Sequence, residues 1–152
     1  MRDILFIAEH RGGTLKKEQH RQLIQWACDC AEHVYSLTDE RLDERLKNAI
    51  FIAKEWKKGT VTVGSARKAS IDAIAVANES SNPTAIMIAR SLGHAVATAH
   101  MADHSLIAAW YALKATKNAG QSIDAERKWQ EEQLPSEIKE LILTARKKIR
   151  KK

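Results

Sequence analysis

The stretch PTAIMIARSLGHAVATAHMADHSLIAAWYALKA, residues 83–115, decides the fold class of this chain. Between Arg90 and Lys114 its only formal charge is Asp103. A helix that is apolar nearly all round is either wrapped by other helices or lies in a membrane. The stretch is long enough to span a bilayer, but it is rich in alanine, contains histidine and aspartate, and lacks aromatic belts. We therefore expect a buried, Ala/His-rich central helix and no membrane span.

The remaining segments predict helices that surround this one. Apolar residues recur there at helical spacing, and Gly, Pro, Ser and Thr mark the ends of each pattern. The sequence thus predicts an all-α fold in a single domain, 1–152, with six helices, or seven if Gly93 divides the central one. Alternatively, Gly93 gives room to a neighbouring backbone. The arrangement is either a bundle or a short helical-repeat-like stack. The predicted outer helices run from Thr14 to Tyr35, from Thr38 or Asp39 to Gly59, from Gly64 to Asn78, from Ser122 onward, and from Pro135 onward.

The net charge of +6 is concentrated at one end of the chain. Six of the basic residues lie in 146–152, and the remainder has 19 basic and 19 acidic residues. Such an end binds nucleic acid or another acidic surface, or it is a solvated helix terminus. Cys28 and Cys30, two apart on a helix, point about 200° apart, which disfavours a disulfide between them. We infer a reducing, cytoplasmic location.

Candidate chemistry lies in the H-x-x-D-H pattern formed by His100, Asp103 and His104. On a continuous helix, the two histidines are one turn apart and both can reach one metal ion, such as zinc. Alternatively, these side chains and His94 form a buried network in which Asp103 accepts hydrogen bonds from His100, or from Arg67 or Arg90. A third reading is a polar pocket for a ligand, with histidine protonation as a switch.

A second cluster of polar side chains occurs on the first predicted helix. Asp29, Cys30 and His33 have spacings that place them within one turn of each other. They either join the central histidines in a metal site or form the polar edge of an amphipathic helix. The chain has no C-x-x-C, P-loop, G-x-G-x-x-G or G-x-S-x-G motif, which argues against the common enzyme classes.

Several stretches resemble, in order, a family of all-helical immunity proteins of bacterial polymorphic toxin systems. LGHAVATAHMADH at 92–104 is similar to the signature of that family, and HRGGTLKKEQHRQLIQWACDCAEHV at 10–34 is similar to its opening helix. Ala53 to Trp56, with Gly59 and the segment 63–67, resembles the middle part of the family's sequence pattern. WQEEQLP at 129–135 resembles the C-terminal part of that pattern. The resemblance therefore covers almost the whole chain.

This resemblance implies a cytoplasmic protein that binds and neutralises a cognate toxin, and it carries over no established catalytic residues. We expect no cofactor. We expect a protein partner, and homo-oligomerisation stays open. The alternatives are a metal-binding protein or metal-dependent enzyme at the central histidines, and nucleic-acid binding through the basic end 146–152. Charged residues on the second helix are candidates for the toxin interface, namely Glu44, Glu55, Lys57 and Lys58.

Overall fold

The computed structural model describes residues 3–150, and of Arg150 it describes the backbone alone. These residues form seven α-helices and three short 3₁₀ turns, so the predicted all-α class is confirmed. None of these helices is both long and apolar enough to cross a membrane. The helices are α1 (Lys17–His33), α2 (Glu44–Lys58), α3 (Val63–Glu79), α4 (Pro83–Ala97), α5 (His104–Asn118), α6 (Ile123–Glu132) and α7 (Ser136–Arg150).

Helix α4 is the centre of the bundle. It contacts α1, α2, α3 and α5, whereas α6 packs on α5 and α7 packs on α1. The contact with α3 is close because α3 presents only small buried side chains, Ala66, Ala69, Ala73 and Ala77. Buried apolar residues from Phe6 to Ala145 belong to one core. The prediction of a bundle around the Ala/His-rich segment is therefore confirmed.

The central segment is two helices, and the division lies at residues 98–103. At the end of α4, the Thr98 carbonyl oxygen accepts a hydrogen bond from the His20 Nε2 of α1 at 2.6 Å. Helix α4 is continuous through Gly93, where a Cβ atom would lie 2.7 Å from Ile74 Cδ1 of α3. The Ser70 hydroxyl of α3 also donates to the Gly93 carbonyl at 2.8 Å. Gly93 thus permits close packing of α3 on α4. Of the two alternatives for Gly93, division of the helix is wrong, and room for a neighbouring helix is what the structure shows.

Some of the predicted helix starts are correct and others are wrong. Thr62 caps α3 through its hydroxyl, and Ser122 caps α6 in the same way. Thr14 does not begin α1, because the chain stays extended up to Lys16. Helix α2 begins after Asp43, whose carboxylate accepts from the backbone N–H of Arg45, and not after Thr38 or Asp39. Residues 59–62 connect α2 to α3.

The N-terminal segment folds back on the start of α1. The backbone N–H of Leu15 donates to the Ile7 carbonyl, and that of Glu9 donates to the Leu15 carbonyl, at 3.0 and 3.1 Å. Gly12 turns the chain with φ +89°, and a Cβ at Gly13 would lie 2.0 Å from the Ile7 carbonyl oxygen. Two glycines therefore hold residues 6–11 against the bundle.

The basic end does not act as one solvated segment. The Arg146 side chain is only 12% exposed and pairs with Glu131 of α6 at 3.3 Å. Its guanidinium also donates to the side-chain oxygen of Gln130 and lies 5.4 Å from the Trp26 ring centroid. Arg146 is thus a structural residue, and its assignment to a free basic tail is wrong. The side chain of Arg150, and Lys151 and Lys152, lie outside the described residues.

Candidate functional site

Three histidines meet where α4 passes into α5. His94 lies in the last turns of α4, His100 in the connecting turn, and His104 at the first position of α5. The Nδ1 atoms of His94 and His104 are 2.8 Å apart, and their rings stack with centroids 5.0 Å apart. The His100 ring is tilted against that of His104 at 5.3 Å. The structure therefore brings together the three histidines of the predicted polar cluster.

The helical spacing expected for the H-x-x-D-H pattern is absent from the structure. His100 precedes α5, so it is not one helical turn from His104 on a common face. Asp103 is half-buried at the N-cap position of α5. The prediction that the pattern lies on one continuous helix is wrong. The histidines meet instead because the chain reverses between α4 and α5.

The surroundings favour the neutral form of His94. Burial, followed by the nearby His104 and Arg90, lowers the pKa of His94 to about 4. The Tyr111 ring of α5 also stacks on that of His94 at 5.4 Å, and the Arg90 guanidinium lies 5.8 Å from the Tyr111 centroid. His94 is therefore half-buried beside His104 and Tyr111 and carries no charge at neutral pH.

A metal site at these residues is not assembled in the described part of the chain. Among residues 3–150, no three side chains of His, Cys, Asp or Glu are placed so that they hold one metal ion. The close Nδ1 atoms of His94 and His104 supply two nitrogen donors, which is fewer than a protein zinc site provides. Zinc binding by His100 and His104 stays the untested alternative to a site without a cofactor.

The other predicted site residues are Asp29, Cys30 and His33 of α1 and Arg67 of α3, and their surroundings differ. Asp29 accepts a hydrogen bond from Gln25 at 2.9 Å, and Cys30 is fully buried in the core with the pKa of its thiol raised well above the ordinary value. Cys28, also a free thiol, has its pKa raised by burial to about 12. Arg67 is exposed on α3. These two cysteines are therefore core residues without thiolate chemistry.

His33 belongs to a contact that the sequence did not reveal. Its ring stacks on Trp129 of α6 with centroids 3.5 Å apart, and its Nδ1 atom lies 2.7 Å from the Glu126 carboxylate. This contact packs α6 against the C-terminal end of α1. His33 thus acts in packing the helices, and no sequence signal linked it to residues more than 90 positions away.

A cavity of about 530 Å³ adjoins the histidine cluster. His100 lines it, together with residues from the N-terminal segment, the start of α1 and the end of α2. Three stretches that carry the family resemblance, 10–34, 53–67 and 92–104, meet around it. Its lining comprises Phe6, Ile7, Ala8, Glu9, His10, Arg11, Leu15, Lys17, His20, Arg21, Trp56, Gly59, Val61, Val63, Ala99, His100 and Ala102.

His20 was not among the predicted site residues, although it links the cavity to the α4–α5 turn. It is 9% exposed, and its Nε2 must carry a proton because the Thr98 carbonyl can only accept. The Trp56 ring lies 4.8 Å from the His20 ring. Burial, partly offset by the Thr98 carbonyl, lowers the pKa of His20. The signal that could have found it is a lone histidine on the apolar face of α1.

The family of the chain follows from a match over most of its length. Residues 13–137 match the model of a family described as "Imm-5 like putative immunity protein". No curated protein and no solved structure matches the chain. The match includes all of α1 to α6 and the α4–α5 turn with its histidines. The chain belongs to this Imm-5 like family.

Proposed function

We propose that this protein is the cytoplasmic immunity factor of a bacterial polymorphic toxin system and that it binds and neutralises one cognate toxin. The family match over residues 13–137 supports an immunity role. A protein that neutralises a toxin by binding needs a surface that is recognisable and largely pre-formed. The observation that carries the proposal is an exposed aromatic surface on the outer side of α5.

This surface, here called the α5 surface, follows the helical repeat. Ile107, Trp110, Tyr111 and Lys114 have the spacing i, i+3, i+4, i+7 and therefore share one side of α5. Ile107 is 37% exposed and Trp110 is 47% exposed, and their proximity to Tyr111 makes one contiguous apolar and aromatic patch. Arg90 of α4 reaches the same side through its contact with Tyr111.

The side chains of the α5 surface hold each other in place. Trp110 meets Tyr111 edge to face with ring centroids 5.0 Å apart, and Lys114 Nζ lies 4.9 Å from the Trp110 centroid. Such contacts restrict an exposed tryptophan before any partner arrives, so less conformational entropy is lost on binding. Trp, Tyr and Arg are also the residue types that most often dominate the energy of protein interfaces.

The charges of this surface indicate that the partner's surface is negatively charged. Arg90 and Lys114 flank the two aromatic rings, and both are cations at neutral pH. A toxin surface with carboxylates around an apolar pocket complements them. The charged residues of α2 expected at the interface are partly engaged elsewhere, since Glu55 pairs with Lys58 at 3.2 Å and Lys57 donates to Gln25 at 3.1 Å.

The proposal is tested by co-expressing the protein with each toxin domain encoded next to it. We expect that one of these toxins inhibits growth and that the wild-type protein restores it. Trp110→Ala removes the main anchor and should weaken this protection strongly. Phe51→Ala is the matched control, because Phe51 is 58% exposed on α2 and is not part of the α5 surface.

Folding controls distinguish a loss of toxin binding from a loss of the folded structure. Both side chains are exposed, so both variants should retain the helical content and melting temperature of the wild type. Protection lost with Trp110→Ala and kept with Phe51→Ala supports the proposal. If no adjacent toxin is neutralised by the wild type, the immunity function is refuted. If both variants protect fully, the α5 surface is not the binding site.

A further inference from the structure

The cavity beside the α4–α5 turn has two chemically different parts. Its inner part is apolar, with Phe6, Leu15 and Ala102 each 2% exposed and the Trp56 ring against His20. Its mouth carries the cations Arg11, Lys17 and Arg21. A volume of about 530 Å³ falls in the range of small-molecule sites, which are mostly apolar with few polar groups.

Cations outnumber anions around the mouth. Glu9 is the one carboxylate of the lining, against three cations. Arg11 makes a long hydrogen bond to the His100 carbonyl at 3.5 Å, and Arg21 lies 4.0 Å from the exposed carboxylate of Glu18. Within residues 3–150, the Lys17 ammonium has no hydrogen bond or ion pair. The three cations therefore retain most of their capacity to bind an anion.

His20 stands between the two parts and is held rigidly. Its proton on Nε2 is committed to the Thr98 carbonyl, so in the neutral ring Nδ1 is an acceptor. The positive charge of nearby Arg11 adds to burial in lowering the pKa of His20. The cavity thus presents a positive potential next to an apolar interior.

We propose that this cavity binds a small organic acid, a carboxylate carried on an apolar body. The apolar body packs against Phe6, Leu15 and Trp56, and the carboxylate pairs with Arg11 and Lys17. This binding site is distinct from the α5 surface, and the proposal does not depend on toxin neutralisation.

The probe is 4-phenylbutyrate, with 4-phenylbutan-1-ol as its uncharged counterpart. Titration followed by NMR reports both affinity and site. We expect the acid to shift the signals of the cavity residues and to bind about tenfold more tightly than the alcohol, since partly exposed ion pairs contribute modestly. Added salt should reduce this difference. The acid, but not the alcohol, should raise the pKa of His20.

Two double variants with the same loss of charge complete the experiment. Arg11→Gln with Lys17→Gln should abolish the preference for the acid, whereas Lys128→Gln with Lys139→Gln, exposed on α6 and α7, should leave it unchanged. Melting curves verify that each variant is folded. Equal binding of acid and alcohol to the wild type, absence of binding of the acid, or equal effects of the two double variants would overturn the proposal.

Discussion

The Nδ1 atoms of His94 and His104 lie 2.8 Å apart, so these two residues share one hydrogen bond across the α4–α5 reversal. One nitrogen must donate and the other must accept, which requires that at least one ring is neutral. Adding a second proton removes the acceptor and places two positive charges side by side. The geometry of the turn is therefore coupled to the protonation of the pair.

This coupling predicts a loss of stability in mild acid. The pKa of His94 is about 4 in the folded protein and about 6.5 in an unfolded chain. Between these values the unfolded state binds more protons, so stability rises with pH there and is lost as the pH falls from about 6.5 to about 4. The full shift corresponds to roughly 3 kcal/mol, and because His94 is only half-buried, solvent screening reduces its contribution to on the order of 2 kcal/mol. Chemical denaturation at a series of pH values measures it.

Variants of two histidines separate this effect from general acid denaturation. His94→Gln should give a shallower pH dependence, with a residual slope because the pKa of His20 is also lowered. His10→Gln should change the slope much less, since His10 is exposed and acts on the pKa of His20 only after burial and the Thr98 carbonyl. An unchanged slope in His94→Gln would contradict the assignment.

Removal of the Arg146 side chain should destabilise the protein strongly. Gln130 is fully buried, donates to the Ala109 carbonyl at 3.1 Å and accepts from Arg146. Arg146→Ala leaves that acceptor and the Glu131 carboxylate without their cation, at a cost of about 2–4 kcal/mol. The neighbouring exposed Lys147, changed to Ala, should have almost no effect. Urea unfolding of both variants tests this, and equal midpoints would disprove the structural role.

The Gly13 position should tolerate no side chain. A Cβ atom there would overlap the Ile7 carbonyl oxygen at 2.0 Å, so Gly13→Ala must displace backbone and should cost at least about 2 kcal/mol. Gly64 is the matched control, because its nearest neighbour is 3.6 Å away and it lies within α3. Gly64→Ala should be neutral or slightly stabilising. Melting temperatures that fall equally in both variants would contradict this close approach.

Chelation should not change thermal stability. The part of the chain from residue 3 to residue 150 assembles no set of three metal-binding side chains. A ligand that binds only the folded state raises its melting temperature, so a resident zinc ion would reveal itself on removal. We expect identical melts with and without EDTA and no stoichiometric metal by mass spectrometry. Stoichiometric zinc with a melt that falls on chelation would support the metal hypothesis instead.

The helices were predictable because capping residues, proline and glycine mark many of their ends in the sequence. Asn82 caps α4 ahead of Pro83, and Gly59 ends α2 with φ +84°. Such signals act within a few residues and are visible in the sequence. The start of α1 was missed because Thr14 precedes residues that the Ala8–Leu15 bridge holds extended. A tertiary contact that competes with helix formation cannot be recognised from the local sequence pattern.

The candidate site was only partly predictable for the same reason. His94, His100 and His104 stand out in an apolar stretch, but their meeting depends on the break at residues 98–103. At that break, His20 of α1 donates a hydrogen bond to the Thr98 carbonyl, although these two residues are 78 positions apart in the sequence. The burial of Arg146 likewise depends on Gln130 of α6. Both are long-range contacts that a helical pattern does not encode.

The most direct test of toxin neutralisation is calorimetric titration of the purified protein with the toxin domain identified by growth rescue. We predict one-to-one binding that Trp110→Ala weakens at least about 30-fold, the size expected for a dominant interface anchor. Phe51→Ala should leave the affinity within about twofold of the wild type. Absence of binding, or equal affinity of the wild type and Trp110→Ala, would contradict the proposal that the α5 surface neutralises a toxin.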